Sequence, residues 1–406
     1  MKLNINSIFL FIVSSLAPLP IFFDLGNLSI IFSKSRYDLD PIIPLPISFI
    51  FFFIFLFLNL PSILNKFSYK RFNLLLFLIL GLSAIIIING APLVRVFQII
   101  LPIILILSIP GVVNTFNIYS AYAFVIGLST FSFLHLLYYL ANINILICTY
   151  NCQHIFLGYE IYHASVGYPD VVLFGVSSSL ILSQNKKEPN KQILFLLLSF
   201  SLILYAIFIA RGATILSILI SAIIFSFIQI RKLLFTSKIN KLFLFSIIGL
   251  IVFMILNGQS IFSRISFLYY KIFVFDGVSP RLNTYKYYLD QFYQDPLSII
   301  FGGWSQYIGG HNYLISMISI MGIFGLIILF KCYSIAFSQL SKSFKFNFIN
   351  LNAIQLYALT LSLSTIIVGN FVNDSITQPF NIIVMFVFLI LTISLFAKKN
   401  QNLQIS

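Results

Sequence analysis

Apolar stretches of about 20 residues, each long enough to cross the hydrocarbon of a bilayer, recur from one end of this 406-residue chain to the other with no soluble domain between them. Twelve are read, at 7–33, 42–64, 74–90, 92–113, 117–141, 168–184, 193–210, 212–230, 242–257, 312–330, 351–372 and 380–397. With 60% hydrophobic, 17% aromatic and only 8% charged residues, the chain cannot supply both the surface and the core of a soluble globule. The expected fold is therefore all-α: a polytopic membrane protein of about 12 transmembrane helices, a single integral membrane domain over 1–406. The first stretch exceeds the apolar core of a secretory signal and carries no small-residue cleavage site, so it reads as a retained span.

A net charge of +14 would suit nucleic acid, but the positions of the charges point elsewhere. With the N-terminus inside, alternate connections receive Lys2, Lys66–Arg71, Lys186–Lys191, Arg231–Lys241, Lys331–Lys345 and Lys398–Lys399. These hold 16 of the 24 basic residues, against the single acid Glu188. That is the positive-inside asymmetry of a membrane protein. It places both termini in the cytoplasm and excludes nucleic acid as the partner. On the outer side fall the loop 142–167, the turn Ala210-Arg211-Gly212, the loop 258–311 and the turn 373–379. Cys148, Cys152 and Cys332 form no even disulfide framework and no zinc-ligand spacing, which leaves them as packing residues.

At 54 residues, the loop 258–311 is far longer than a connection between spans requires. Ser279-Pro280 has the form of a helix start and Asp295-Pro296 of a stop. Between them Leu282, Tyr285, Leu289, Phe292 and Tyr293 recur at helical spacing, which predicts an amphipathic helix over 280–294 lying along the membrane surface. Arg281 is in its first turn, and Arg264 and Lys271 upstream share one helical face. Phe301-Gly302-Gly303-Trp304 follows, where glycines permit tight turns and close approach of backbone to a ligand. Gly309-Gly310-His311-Asn312 then leads into the tenth span; the chain contains only four histidines.

This pattern, an arginine opening an amphipathic helix, then Pro296-Leu297 and the FGGW turn, then GGHNYL running into GIFGLI, resembles the outer loop of the O-antigen polymerase and O-antigen ligase superfamily of integral membrane glycosyltransferases. Ala210-Arg211-Gly212-Ala213 is similar to the Ser-Arg-Gly turn common in that family, with alanine in place of serine. The first glycine expected in the PL.G.G pattern is displaced by Ser298-Ile299-Ile300. The resemblance implies transfer of a growing glycan from undecaprenyl pyrophosphate to the sugar of another lipid-linked repeat unit, at the outer face of a bacterial inner membrane. It also implies no metal and no cofactor, and a chain-length regulator as a partner. A ligase acting on lipid A-core and a flippase for the same lipid-linked oligosaccharide are the alternatives. Against the flippase stand the absence of a half-to-half repeat and the plain Ile/Leu/Phe composition of most spans.

The residues fit that chemistry on their own terms. Breaking a sugar–pyrophosphate bond releases dense negative charge, and guanidinium groups match phosphate oxygens while staying charged near lipid. Arg211 and Arg281 are the candidates, with Arg95, one turn inside the fourth span, and Arg264 as further phosphate contacts. His311 is the outward group suited to take a proton from the acceptor hydroxyl, and Asn312 would orient it or bind sugar. Asp374, Trp304 and Tyr285 complete the expected substrate contacts. Each has a plainer reading: His311 as a polar-tipped interfacial residue, Arg211 and Arg281 as headgroup anchors. Asp38-Leu39-Asp40 has metal-binding spacing, but Lys34 and Arg36 beside it favour a neutral solvated loop. Asp24 falls within the first span. His135, His154 and His163 show no ligand spacing.

Overall fold

The computed structural model describes residues 5–19, 21–24, 29–32, 44–65, 69–91, 93–142, 155–157, 159–161, 168–184, 189–208, 212–235, 279–303, 313–346, 351–373 and 379–399. Helices dominate them: α1 (Ile5–Leu16), α2 (Ile47–Leu58), α3 (Leu60–Leu64), α4 (Tyr69–Ile88), α5 (Leu93–Thr115), α6 (Ile118–Asn142), α7 (Tyr168–Leu182), α8 (Pro189–Phe208), α9 (Gly212–Phe235), α10 (Ser279–Gln294), α11 (Pro296–Phe301), α12 (Tyr313–Ser343), α13 (Ala353–Asn373) and α14 (Pro379–Phe396). The strands are short: β1 (Ile21–Asp24), β2 (Ser29–Phe32) and β3 (Pro44–Pro46) form an antiparallel sheet in the order β2-β1-β3, and β4 (Ile155–Phe156) pairs with β5 (Tyr159–Glu160), and β6 (Phe344–Phe346) with β7 (Ala397–Lys399).

Among the described residues five helices are long and apolar enough to cross a membrane, within α5, α6, α8, α12 and α13, and six shorter apolar helices accompany them. The chain is thus a helical membrane protein in its broad class. Eleven of the twelve expected spans coincide with one of these apolar helices, five of them of full crossing length. The predicted ninth span, 242–257, lies outside the described residues. The first predicted span, 7–33, stops at Leu16: Pro18 and Pro20 withhold backbone donors and clash with the preceding turn, and the chain continues into β1 and β2. Asp24 therefore ends a strand, paired in register with Ser29 and Pro44, and is not inside a helix. The second span is likewise divided, with α2 ending before Asn59 and Pro61 opening α3. In the opposite direction, α12 runs on to Ser343, carrying Lys331 within it and Lys342 in its last turn.

Two apolar cores hold the bundle. The larger gathers side chains of α1, α2, α6, α7, α8, α13 and α14; the smaller is built from α4, α5 and α12. Helix α5 is the shared wall, turning Leu101, Leu105, Ile109 and Val112 to the first core and Ile99, Ile103, Ile106 and Leu107 to the second. Lipid is as apolar as leucine, so helices in it associate through close packing and small residues rather than through a hydrophobic gradient. Gly111 of α5 shows this: a Cβ there would lie 2.4 Å from the Ile63 Cα of α3. Buried Ser177, Ser178 and Ser179 of α7, Ser217 and Ser221 of α9, and Ser364 and Thr365 of α13 serve the same packing. Large side chains such as Phe77, Phe227 and Ile223 point outward, as lipid-facing residues do.

Candidate functional site

The conspicuous construction in the smaller core is a joint between three distant pieces of chain. Helix α4 ends in a Schellman cap: Gly90 (φ +74°) donates its N–H to Ile87 O at 2.9 Å, and Ala91 donates to Ile86 O at 3.2 Å. Asn89 is the last residue before that glycine, and its side chain is free to reach across. Its Nδ2 donates to Phe301 O at 2.7 Å and to Ile320 O at 2.8 Å. Opposite it, α12 is broken at Gly322, whose backbone (φ +65°, ψ 178°) is open essentially only to glycine. The chain after α11 presses its backbone into this break. A Cβ at Gly322 would sit 2.2 Å from Ile300 O, and one at Gly302 (φ +75°) would sit 2.7 Å from Ile320 O.

A helix broken near lipid must find new partners for its interrupted carbonyls. Here Gly303 N–H donates to Ser319 O at 3.3 Å, and Asn89 serves Ile320 O. The glycines expected to let backbone approach a ligand thus bring it, at Gly302, against another helix of the same chain. The break also divides α12 into Tyr313–Met321 and Ile323–Ser343; the latter, at 1.5 Å per residue, spans about 32 Å and is long enough to cross a bilayer alone.

Arg95 lies half-buried in the first turn of α5, six residues beyond Asn89, and its neighbours Val96 and Ile99 pack in the same core as Tyr313, Met317 and Ile320. The fold therefore brings Arg95, the Phe301-Gly302-Gly303 turn and the start of α12 to one corner. Arg281 and Tyr285 are in α10, the helix the sequence predicts, bounded one residue earlier than expected. Tyr288 is buried, and Leu289 and Tyr293 of the expected apolar stripe are 65% and 89% exposed on the outside of the protein. Asp295 ends α10 as predicted and at once caps α11, whose Leu297, Ile300 and Phe301 are also exposed. His311, Asn312, Trp304, Arg211, Arg264 and Asp374 lie outside the described residues.

No protein family, curated protein or solved structure matches this chain.

A second polar cluster, not signalled by any spacing in the sequence, stands where α6, α7 and α8 meet. His135 is fully buried and its Nδ1 is 2.7 Å from the Tyr205 hydroxyl. The rings of Phe131, Phe156 and Tyr205 surround it at centroid distances of 5.7 to 6.1 Å. Buried Tyr168 and Asp170 open α7 beside this group. Tyr205 lies in the last turn of α8, which ends at Phe208. Among the described residues, no three of His, Cys, Asp and Glu are gathered as metal ligands. Asn89, Asp170 and Tyr205 escaped the sequence reading. For Asn89 the one available signal was its Asn-Gly dipeptide at the end of a span, a helix-stop pattern.

Proposed function

We propose that the protein is a membrane glycosyltransferase that polymerises lipid-linked glycan repeat units at the outer face of a bacterial inner membrane. The observation that supports this reading is the joint just described. The segment Pro296–Gly303, within the long connection the sequence reads between spans, is docked by backbone contact onto a broken helix, at the corner that also carries Arg95. Such docking gives a surface loop the rigidity that positioning a reaction requires; a simple connection between spans has no use for it.

In the proposed reaction the bond between the anomeric carbon and the pyrophosphate oxygen of the donor breaks. The acceptor hydroxyl oxygen bonds that carbon, its proton passes to His311, and undecaprenyl pyrophosphate leaves. Arg211, Arg281 and Arg95 neutralise the departing pyrophosphate, a role in which a well-placed cation contributes several kcal/mol. Asn312 orients the histidine or the sugar, and Arg264, Asp374, Trp304 and Tyr285 contact substrate.

The test is the size distribution of surface polysaccharide from the native host with the gene deleted and then restored. Collapse of the ladder to core plus one repeat unit supports the polymerase. Loss of every capped species overturns it in favour of a ligase or flippase, and polymer accumulating on its lipid carrier at the outer face selects the ligase. Restoration with His311→Ala, Arg211→Ala or Arg281→Ala should leave the collapsed ladder with membrane insertion intact.

A further inference from the structure

The carboxamide of Asn89 ties three pieces of the chain together: one nitrogen donates to two backbone carbonyls, Phe301 O and Ile320 O, 212 and 231 residues away. Both bonds are donations, so the atom required is an amide nitrogen. The oxygen of an isosteric aspartate would face two carbonyl oxygens at the same distances and repel both. The backbone of Asn89 is itself fixed by the Schellman cap around Gly90, which aims the side chain before any long-range contact forms. On the far side, Gly302 and Gly322 bring the two acceptor strands into backbone contact, so the amide closes a gap with no room for a larger group.

We infer that Asn89 is a positioning residue, which locks the Pro296–Gly303 segment and the broken start of α12 to the α4–α5 corner as one unit. It acts at two points at once: through Phe301 O it holds the end of α11, and through Ile320 O it holds the half-helix that begins at Tyr313, with Arg95 six residues further along the chain. Gly303 and Tyr313 are the chain neighbours of Trp304 and Asn312, so fixing them fixes the two ends from which that stretch is strung. The functional consequence rests on the glycosyltransferase reading above; the mechanical one does not.

The chain's single tryptophan, Trp304, directly follows Gly303 and reports on the joint without any label. Asn89→Asp and Asn89→Ala are compared with the native protein in isolated membranes, normalised to inserted protein. Three readouts are taken: Trp304 emission, its quenching by acrylamide, and chain growth resolved into kcat and KM. Asn89→Ser, which removes the carboxamide without adding a charge, carries the test if the carboxylate prevents insertion. Both Asp and Ala should shift the emission and change the quenching. Both should lower kcat about 100-fold, the effect of misplacing a reacting group by about 1 Å, with KM little changed. An aspartate variant indistinguishable from native in fluorescence and ladder would overturn the inference, because shape alone would then suffice. If Asn89 variants shift Trp304 while Arg211→Ala keeps a full ladder, the joint stands and the glycosyltransferase reading falls. If Arg211→Ala collapses the ladder while Asn89→Asp and Asn89→Ser change neither fluorescence nor kcat, the reverse holds.

Discussion

His135 and Tyr205, 70 residues apart, share a hydrogen bond of 2.7 Å between Nδ1 and the phenolic oxygen in a site closed to solvent. A buried polar pair between membrane helices joins α6 to α8 more specifically than the aliphatic contacts around it, because a polar group in an apolar setting is costly unless hydrogen-bonded.

Tyr205→Phe keeps the ring and removes only the hydroxyl. The expected loss lies between about 0.6 and 1.7 kcal/mol, the range measured for hydrogen bonds between membrane helices. Thermal unfolding of the purified protein in detergent measures it, and the double variant with His135→Ala should show that the two effects are not additive. Additivity would mean that the contact couples nothing.

Gly322→Ala should destabilise strongly. The backbone region at Gly322 excludes a Cβ at a cost of about 1–3 kcal/mol, and the new methyl would also meet Ile300 O at 2.2 Å. Lower yield from membranes and a depressed melting midpoint are expected. A control at Gly81, where a Cβ meets nothing within 4 Å, should be neutral or mildly stabilising.

Gly111→Ala addresses the packing of α3 against α5. An added Cβ at 2.4 Å from Ile63 Cα cannot be relieved by rotating a side chain, since the obstacle is backbone. The helices must separate, and the variant should lose more stability than Gly175→Ala, where the nearest atom is the movable Leu128 side chain.

Ile327 of α12 is 62% exposed in the protein and so faces lipid. Ile327→Ala should be tolerated, whereas Ile327→Asp places a charge in hydrocarbon at about 2.5–3.5 kcal/mol. Membrane-integrated yield distinguishes them: equal yields would mean that this face is covered by something other than lipid.

Arg95 tests the functional reading at a residue whose place is seen. Arg95→Ala should slow chain growth about 100-fold, the effect of removing one donor from a developing anion. Arg95→Lys should not restore it, because an ammonium cannot reproduce the planar two-pronged contact of a guanidinium with phosphate. Polymer length on a gel, normalised to protein in the membrane, is the measurement.

The helices were legible where composition alone decides them. Plain apolar runs such as those of α5, α6 and α13 were placed within a few residues, and α10 was readable from Ser279-Pro280 and Asp295-Pro296. Proline explains the main error: Pro18 and Pro20 sit in an apolar run that hydropathy reads as continuous, yet they end α1 at Leu16. The exposed Leu289 and Tyr293 of α10 were readable from periodicity, whereas the burial of Tyr288 was not. The Gly302-Gly303 turn was read as a place where backbone comes close to a ligand; at Gly302 it comes close to α12 instead, a partner the sequence did not reveal.

Hydrophobicity, charge asymmetry and proline are properties of single residues and their chain neighbours, and bilayer thickness converts them directly into helices and the side on which each loop is expected. By itself, therefore, the sequence specified a helical membrane protein. Which helices touch was decided only in three dimensions. Spans apolar on all sides carry no stripe to say which face turns inward, and the groups that settle the matter are backbone carbonyls and glycine gaps. Asn89 meets Phe301 across 212 residues and His135 meets Tyr205 across 70. Those pairings exist because close packing of α4 on α12 and of α6 on α8 brings polar atoms together in lipid-like surroundings, where a hydrogen bond offsets the cost of burying them.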